Sequence, residues 1–345
     1  MLDNVYATLP KYIDERNEKG NWSVQGYDFV LVRQTIILVM FSIAQLLFAP
    51  FTAFVKNKIG SKNTILAGFF LMTCTTIGLG MMTYINNPYT FFIVGNVLRF
   101  IQGLGDVWLQ FTAYSIITSI FSHDIMTYIK YIEISVGLGL GIGPLAGDFL
   151  YESTDNFALS MYCFGGLNLV TFMLCAVFIP NELNITASET EIDDIQNRVQ
   201  TLEDIEAQAK KKKIGWYLMF TNRHSFFAIM IALIGTFDIM FFKEFLATEL
   251  DKKDFGEYTG GIMAIPAFVY LVACLLLPYT CEHTSRKFLF FISMIGFAGC
   301  MFLLGPSEIL KFPDSVWLII ASQPPMGIFQ VFVFIPIIPE MLERL

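Results

Sequence analysis

Charge is scarce in this chain. Asp, Glu, Lys and Arg make up 15% of 345 residues, where a soluble domain carries about 25%. The charges that exist gather in links between long apolar runs, which excludes an ordinary water-soluble fold. Histidine is rarer still: His123, His224 and His283 each fall in a polar link, with no spacing that suits a metal site. Of the six cysteines, Cys74, Cys163, Cys175, Cys274 and Cys300 lie inside apolar runs and Cys281 ends one, a pattern of small buried hydrophobes and not of a disulfide framework. No strand precedes any glycine cluster, so none of them cradles a nucleotide. No cofactor and no metal are expected, and nothing points to an enzyme. The net charge of -8 sits in loops and gives no basis for binding nucleic acid. The first residues lack the charged-then-apolar order of a signal peptide.

Apolar residues dominate instead: 55% of the chain is hydrophobic, with 35 Phe and a mean hydropathy of +0.58. They form runs at about 29 to 54, 64 to 85, 90 to 121, 126 to 151 and 157 to 180, and then at about 225 to 246, 259 to 279, 288 to 305 and 316 to 339. A hydrocarbon core of about 30 Å is crossed by about 20 helical residues, so the pattern predicts about nine spans. The runs are continuous and not alternating, which selects helices over a barrel. The fold expected is an all-α, polytopic membrane protein.

The organisation follows. Residues 1 to 28 are a polar, exposed, non-cytoplasmic loop; 29 to 180 form one helical bundle; 181 to 224 are a cytoplasmic central linker; 225 to 345 form a second bundle. Lysines and arginines concentrate on the linker side (Lys56, Lys58, Lys62, Lys130, Arg198, the lysines at 210 to 213, Arg223, Arg286 and Lys287), which places that face in the cytoplasm. On the other face Asn21-Trp22-Ser23 matches a glycan acceptor. Within the linker Ile192, Ile195, Val199, Leu202 and Ile205 recur at near-helical spacing ahead of the lysines. An amphipathic helix on the membrane surface and a flexible tether both fit that pattern.

The spans themselves hold Arg99, Asp106, Glu133, Asp148 and Asp238. An ionisable group at bilayer depth costs about 3 kcal/mol or more unless it faces a partner or a wet cavity, so its default reading is functional. At about 1.5 Å per residue, Asp106 and Glu133 share a depth near mid-membrane and Asp238 lies nearer the outer face. Three carboxylates lining one cavity suit a cationic substrate and proton exchange, since burial favours the protonated acid and the ionised form holds an ammonium. Arg99 would modulate them by its fixed charge, and Gln102, Gln110 and Gln323 would hydrogen-bond substrate. Simpler roles stand beside these. Arg99 and Asp106, seven residues apart, would neutralise one another on one helix face, and Glu133 would brace the 53 to 62 loop. Asp148 and Glu152 would be solvated near the outer end, and Lys243 and Glu244 would snorkel.

Three motifs carry a resemblance to a known family. Residues 53 to 62 resemble the cytoplasmic G-x-x-x-D-R-x-G-R-K loop of the major facilitator superfamily, keeping Gly60 and Lys62 but with Lys58 at the first arginine, Asn57 for the aspartate, Ala53 for the first glycine and Ser61 for the second arginine. Arg99-x-x-Gln102-Gly103-x-Gly105 is similar to its fourth-helix motif. Gly139-x-x-x-Gly143-Pro144-x-x-Gly147 is similar to the fifth-helix motif of its antiporter branch, with Asp148 where a second glycine is usual. Leu9-Pro10-Lys11, the stretch from Ile132-Glu133 through Tyr151-Glu152, and residues 304 to 310 and 336 to 340 resemble the vesicular amine and polyamine transporter family within it. The resemblance implies a twelve-helix fold of which helices 1, 11 and 12 are absent here. It also implies proton-coupled antiport of an organic cation by alternating access, in a vesicle or other endomembrane more than the plasma membrane. The expected partners are lipids, the cation and protons, with a protein partner covering the incomplete bundle. The eroded loop and the absent helices favour a second reading, a non-transporting membrane protein that keeps the fold as a scaffold or partner-binding module.

Overall fold

The computed structural model describes residues 3–18, 27–120, 125–184, 222–253, 255, 258–304 and 315–343, and every long element among them is helical. In chain order these are α1 (Asp3–Glu18), α2 (Tyr27–Ile59), α3 (Ser61–Met81), α4 (Pro88–Ile120), α5 (Ile125–Thr154), α6 (Phe157–Phe178), α7 (Arg223–Lys252), α8 (Thr259–His283), α9 (Arg286–Leu304) and α10 (Val316–Glu343). Helices α2 to α10 coincide with the nine apolar runs. The linker pattern from Ile192 to the lysines at 210 to 213, the Asn21 acceptor and residues 305 to 314 lie outside the described residues.

Local chemistry sets several boundaries. Pro88 opens α4, where its missing N–H costs nothing, and Asn87 Oδ1 accepts from the Tyr89 amide at 2.9 Å. Asn156 caps α6 by accepting from the Leu159 amide at 3.2 Å. Between α2 and α3 the chain turns on Gly60, whose φ of 86° suits glycine alone.

Six described stretches are long and apolar enough to cross a membrane: Thr35–Ile59, Ser61–Tyr84, Thr127–Thr154, Phe157–Phe178, Arg286–Leu304 and Val316–Ile337. Their outward side chains are large and bare, with Leu46 at 77% and Val177 at 78% exposure. Each would cost about 25 cal/mol per Å² against water, so lipid is the solvent these faces are built for.

The chain forms two compact units. One comprises residues 8–120 and 149–211; the other comprises residues 1–7, 121–148 and 212–345. In the first unit α4 packs on α2 and α3, and α3 packs on α6. In the second, α10 packs on α7, α8 and α9 around a cluster that includes Leu246, Phe290, Phe297, Met326 and Val333. The body of α5 thus groups with the later helices, whereas the linker-based boundary assigns it to the earlier bundle. Its glycines explain the difference: a Cβ on Gly137 would meet Tyr270 of α8 at 2.9 Å, and one on Gly141 would meet Ala267 at 3.4 Å.

Residues 1 to 28 depart from the exposed loop expected of them. Much of that stretch is α1, whose Val5, Leu9 and Ile13 recur every fourth residue and are buried. The ring of Tyr12 stacks on Phe157 with centroids 5.0 Å apart, and the Tyr151 hydroxyl donates to Glu15 Oε2 at 2.6 Å. Burial pushes the Tyr12 hydroxyl above its ordinary pKa, with Arg16, which donates to it at 2.8 Å, pulling the other way.

Candidate functional site

One face of α4 carries Arg99, Gln102, Gly103, Asp106 and Gln110, spaced by three, one, three and four residues so that they stack along the helix. Arg99 Nη1 donates to Gln102 Oε1 at 2.8 Å, and Gln102 Nε2 donates to Thr76 Oγ1 of α3 at 3.0 Å. The guanidinium also lies 5.0 Å from the centroid of the Phe41 ring in α2, a cation–π geometry that suits a charge deep in an apolar bundle. Backbone proximity makes this possible. A Cβ on Gly103 would lie 2.3 Å from the Phe41 carbonyl oxygen, and Cβ atoms on Gly105 and Gly68 would each lie under 3.0 Å from the other's carbonyl oxygen.

Asp106 is 6% exposed. Its Oδ2 accepts from Gln45 Nε2 of α2 at 2.5 Å and from Gln110 Nε2 at 2.6 Å. Gln110, expected to hydrogen-bond substrate, here donates to the Asp106 carboxylate. Gln45 was absent from the residues singled out above. Its signal is slight: it is the one amide between Thr35 and Val55.

Glu133 of α5 is 7% exposed, and its Oε2 accepts from the Tyr270 hydroxyl of α8. Tyr270 also escapes sequence reading, because 137 positions separate the pair. Asp148 is buried, not solvated, while Glu152 is exposed and pairs with Lys11 Nζ at 3.5 Å. Asp238 is half-buried on α7; the side chains of Lys243 and Glu244 lie outside the described set. Asp106 falls in the first unit, Glu133 and Asp238 in the second. Gln323 of α10 is fully buried and donates to the Ile319 carbonyl at 3.0 Å and to Ser322 Oγ at 3.3 Å; among the described residues its Oε1 receives no hydrogen bond.

The motif positions divide by environment. Gly143, Pro144 and Gly147 are buried in α5, whereas a Cβ on Gly139 would meet nothing within 4 Å. Asn57 and Lys58 are exposed at the end of α2. Gly60 is enclosed by the turn Asn181–Asn184, where a Cβ would lie 2.7 Å from the Asn184 Cα. Lys62 Nζ donates to Asn181 Oδ1 at 2.8 Å, and the Asn63 amide donates to Asn184 Oδ1 at 3.1 Å. The loop after α2 is therefore clasped to the segment after α6 by amides.

Apolar helices that turn bare faces outward and pack carboxylates, a guanidinium and amides inside describe an integral, multi-pass membrane protein. The chain belongs to the Major Facilitator Superfamily, whose model matches residues 20–344. It is similar to the proteins named MFS-type transporter SLC18B1 from Mus musculus (24% identical over 290 residues), Rattus norvegicus (26% over 292) and Homo sapiens (24% over 289). Each alignment covers 83% of this chain and 58% of the relative, so the chain spans less than two thirds of their length. Among solved structures, the crystal structure of a D-xylose-proton symporter matches with a TM-score of 0.62 at 16% identity, over 96% of this chain and 77% of that one. The inward-open xylose transporter XylE from E. coli matches at 0.58 and 16% identity, over 95% and 78%. These two show the shared fold.

Proposed function

We propose that this protein is a secondary transporter that exchanges protons for an organic cation, an amine or polyamine, across a vesicle or other endomembrane. The observation that carries the reading is the treatment of its buried carboxylates: Asp106 is held by the amides of Gln45 and Gln110, and Glu133 by the phenol of Tyr270. Neutral donors of this kind support an ionised carboxylate in an apolar bundle, and they have no charge of their own to oppose its protonation. A carboxylate so placed takes a proton from an acidic compartment, or an ammonium group in the proton's stead, and the competition of the two for one oxygen is exchange. The similarity to proteins named MFS-type transporter supports transport itself. Gln323, with a buried Oε1 that receives no hydrogen bond among the described residues, is the proposed acceptor for a substrate N–H. Alternating access would follow from rocking of packed helices about mid-membrane.

The test is uptake of labelled polyamine into proteoliposomes with an acidic interior. Uptake that collapses when the gradient is dissipated, and that falls at least tenfold in Asp106→Asn and in Glu133→Gln, supports the reading. Retention of uptake in both variants removes the carboxylates from the mechanism. Absence of gradient-driven uptake in the unaltered protein leaves the scaffold reading, which the eroded Asn57 loop favours.

A further inference from the structure

Within the second unit the seam between α5 and α8 is built around one phenol. Tyr270 is 1% exposed, and its hydroxyl donates to Glu133 Oε2. Two glycines make room for it. A Cβ on Gly137, one turn past Glu133, would lie 2.9 Å from the ring's Cδ1. A Cβ on Gly327 of α10 would lie 3.0 Å from the Tyr270 backbone nitrogen and 2.3 Å from the Pro266 carbonyl oxygen. Ring and backbone are thus both closely approached, which holds the hydroxyl against the carboxylate. Other titratable groups on the elements packed here include Asp148, buried on α5, and Glu340, buried on α10 with Arg286 Nη1 at 3.5 Å. Cys274 is fully buried one turn along α8, Lys130 lies on α5 with its Nζ 5.1 Å from the Tyr131 ring centroid, and Asp238 is half-buried on α7. Helix α10 brings no charged residue between Val316 and Ile338.

We propose that Tyr270 is a positioning residue for Glu133: its phenol fixes the ionised carboxylate against α8, and parting of the α5–α8 seam is what frees that carboxylate for a proton or an ammonium. This deepens the proposed function and rests on its assignment of Glu133 as an exchanging group. A phenol suits the task, because it donates one hydrogen bond and stays neutral throughout the physiological range. A hydrogen bond to a charged acceptor is among the stronger ones inside a protein, so losing it shifts the balance toward the protonated acid by about tenfold.

The experiment uses the full chain in lipid nanodiscs and a lipophilic carbodiimide, which reacts with protonated carboxyl groups, with adducts counted by mass spectrometry at neutral pH. Tyr270→Phe should raise adduct formation at Glu133 about tenfold and leave adduct formation at Asp106 unchanged, while Glu133→Gln shows no adduct at that position. An unchanged rate at Glu133 in Tyr270→Phe overturns the proposal. So does a rise shared equally by Asp106, which reports general loosening. Should Tyr270→Phe fail to fold, Gly137→Ala displaces the same ring by its Cβ and should raise the Glu133 rate alone; no rise there is equally fatal. The labelling decides Tyr270 independently of transport, and absence of gradient-driven uptake in the unaltered protein refutes the proposed function without touching the labelling result.

Discussion

A methyl group at position 103 has nowhere to go. The nearest atom is backbone, the Phe41 carbonyl oxygen at 2.3 Å, so Gly103→Ala must push α4 away from α2. We expect it to cost about 1–3 kcal/mol as overpacking does, seen as a lower Tm in detergent. Gly139 belongs to a motif of the same kind, yet a Cβ there meets nothing within 4 Å. Gly139→Ala should leave Tm unchanged or raise it, because alanine is favoured over glycine inside a helix by about 1 kcal/mol. Gln45 offers a functional counterpart. Gln45→Leu deprives Asp106 of an amide donor at 2.5 Å, and proton-driven uptake should fall about tenfold with folding retained; a normal initial rate would detach Gln45 from the mechanism. At this scale the α4 face was legible, since Arg99, Gln102 and Asp106 are conspicuous polar residues in an apolar run and helical spacing stacks them. Gln45 and Tyr270 were not, because each acts across a helix pair whose identity no local pattern encodes.

Among the elements, α1 is the one most easily underrated. Its polar residues hide a stripe of Val5, Leu9 and Ile13, and four-residue spacing within a charged stretch was the only clue that it packs. Truncating a buried leucine or isoleucine to alanine costs about 2–5 kcal/mol. The double change Leu9→Ala with Ile13→Ala should therefore free α1 and speed tryptic cleavage after Lys11 and Arg16 by an order of magnitude or more, while α2 to α4 stay protected. Unaltered cleavage rates would mean that α1 is held chiefly by its polar contacts, Glu15 with Tyr151 and Lys11 with Glu152. The α2–α3 turn shows the opposite balance of legibility. Its motif glycine is legible in residues 53 to 62, but the asparagine clasp from residues 181 to 184 is not, since it depends on two turns 119 to 121 positions apart meeting in space.

For the molecule as a whole, the bilayer did most of the specifying. Long apolar runs can only become helices in lipid, which is why the helical fold class and the family could be read from sequence, whereas the grouping of α5 with later helices rests on contacts no local pattern encodes. The free cysteines report on that solvent. Cys74 is exposed on α3 and Cys274 is buried in α8. In a lipid bilayer a charged thiol reagent should modify neither. On detergent transfer Cys74 should become reactive ahead of Cys274. Rapid modification of Cys74 in intact membranes would place that face of α3 against water.

The placement of α5 bears on what holds the polypeptide together. Its body groups with α7 to α10, while α4 before it and α6 after it belong to the other unit. The chain crosses from one unit to the other and back before it ever reaches residues 185 to 221. A single cut within those residues therefore divides the second unit between two fragments: the first carries away α5, against whose Gly137 and Glu133 the second has packed Tyr270. Such a nick would be silent, the fragments travelling as one particle until a denaturant separates them, and the two could be expressed from separate messages and still find each other.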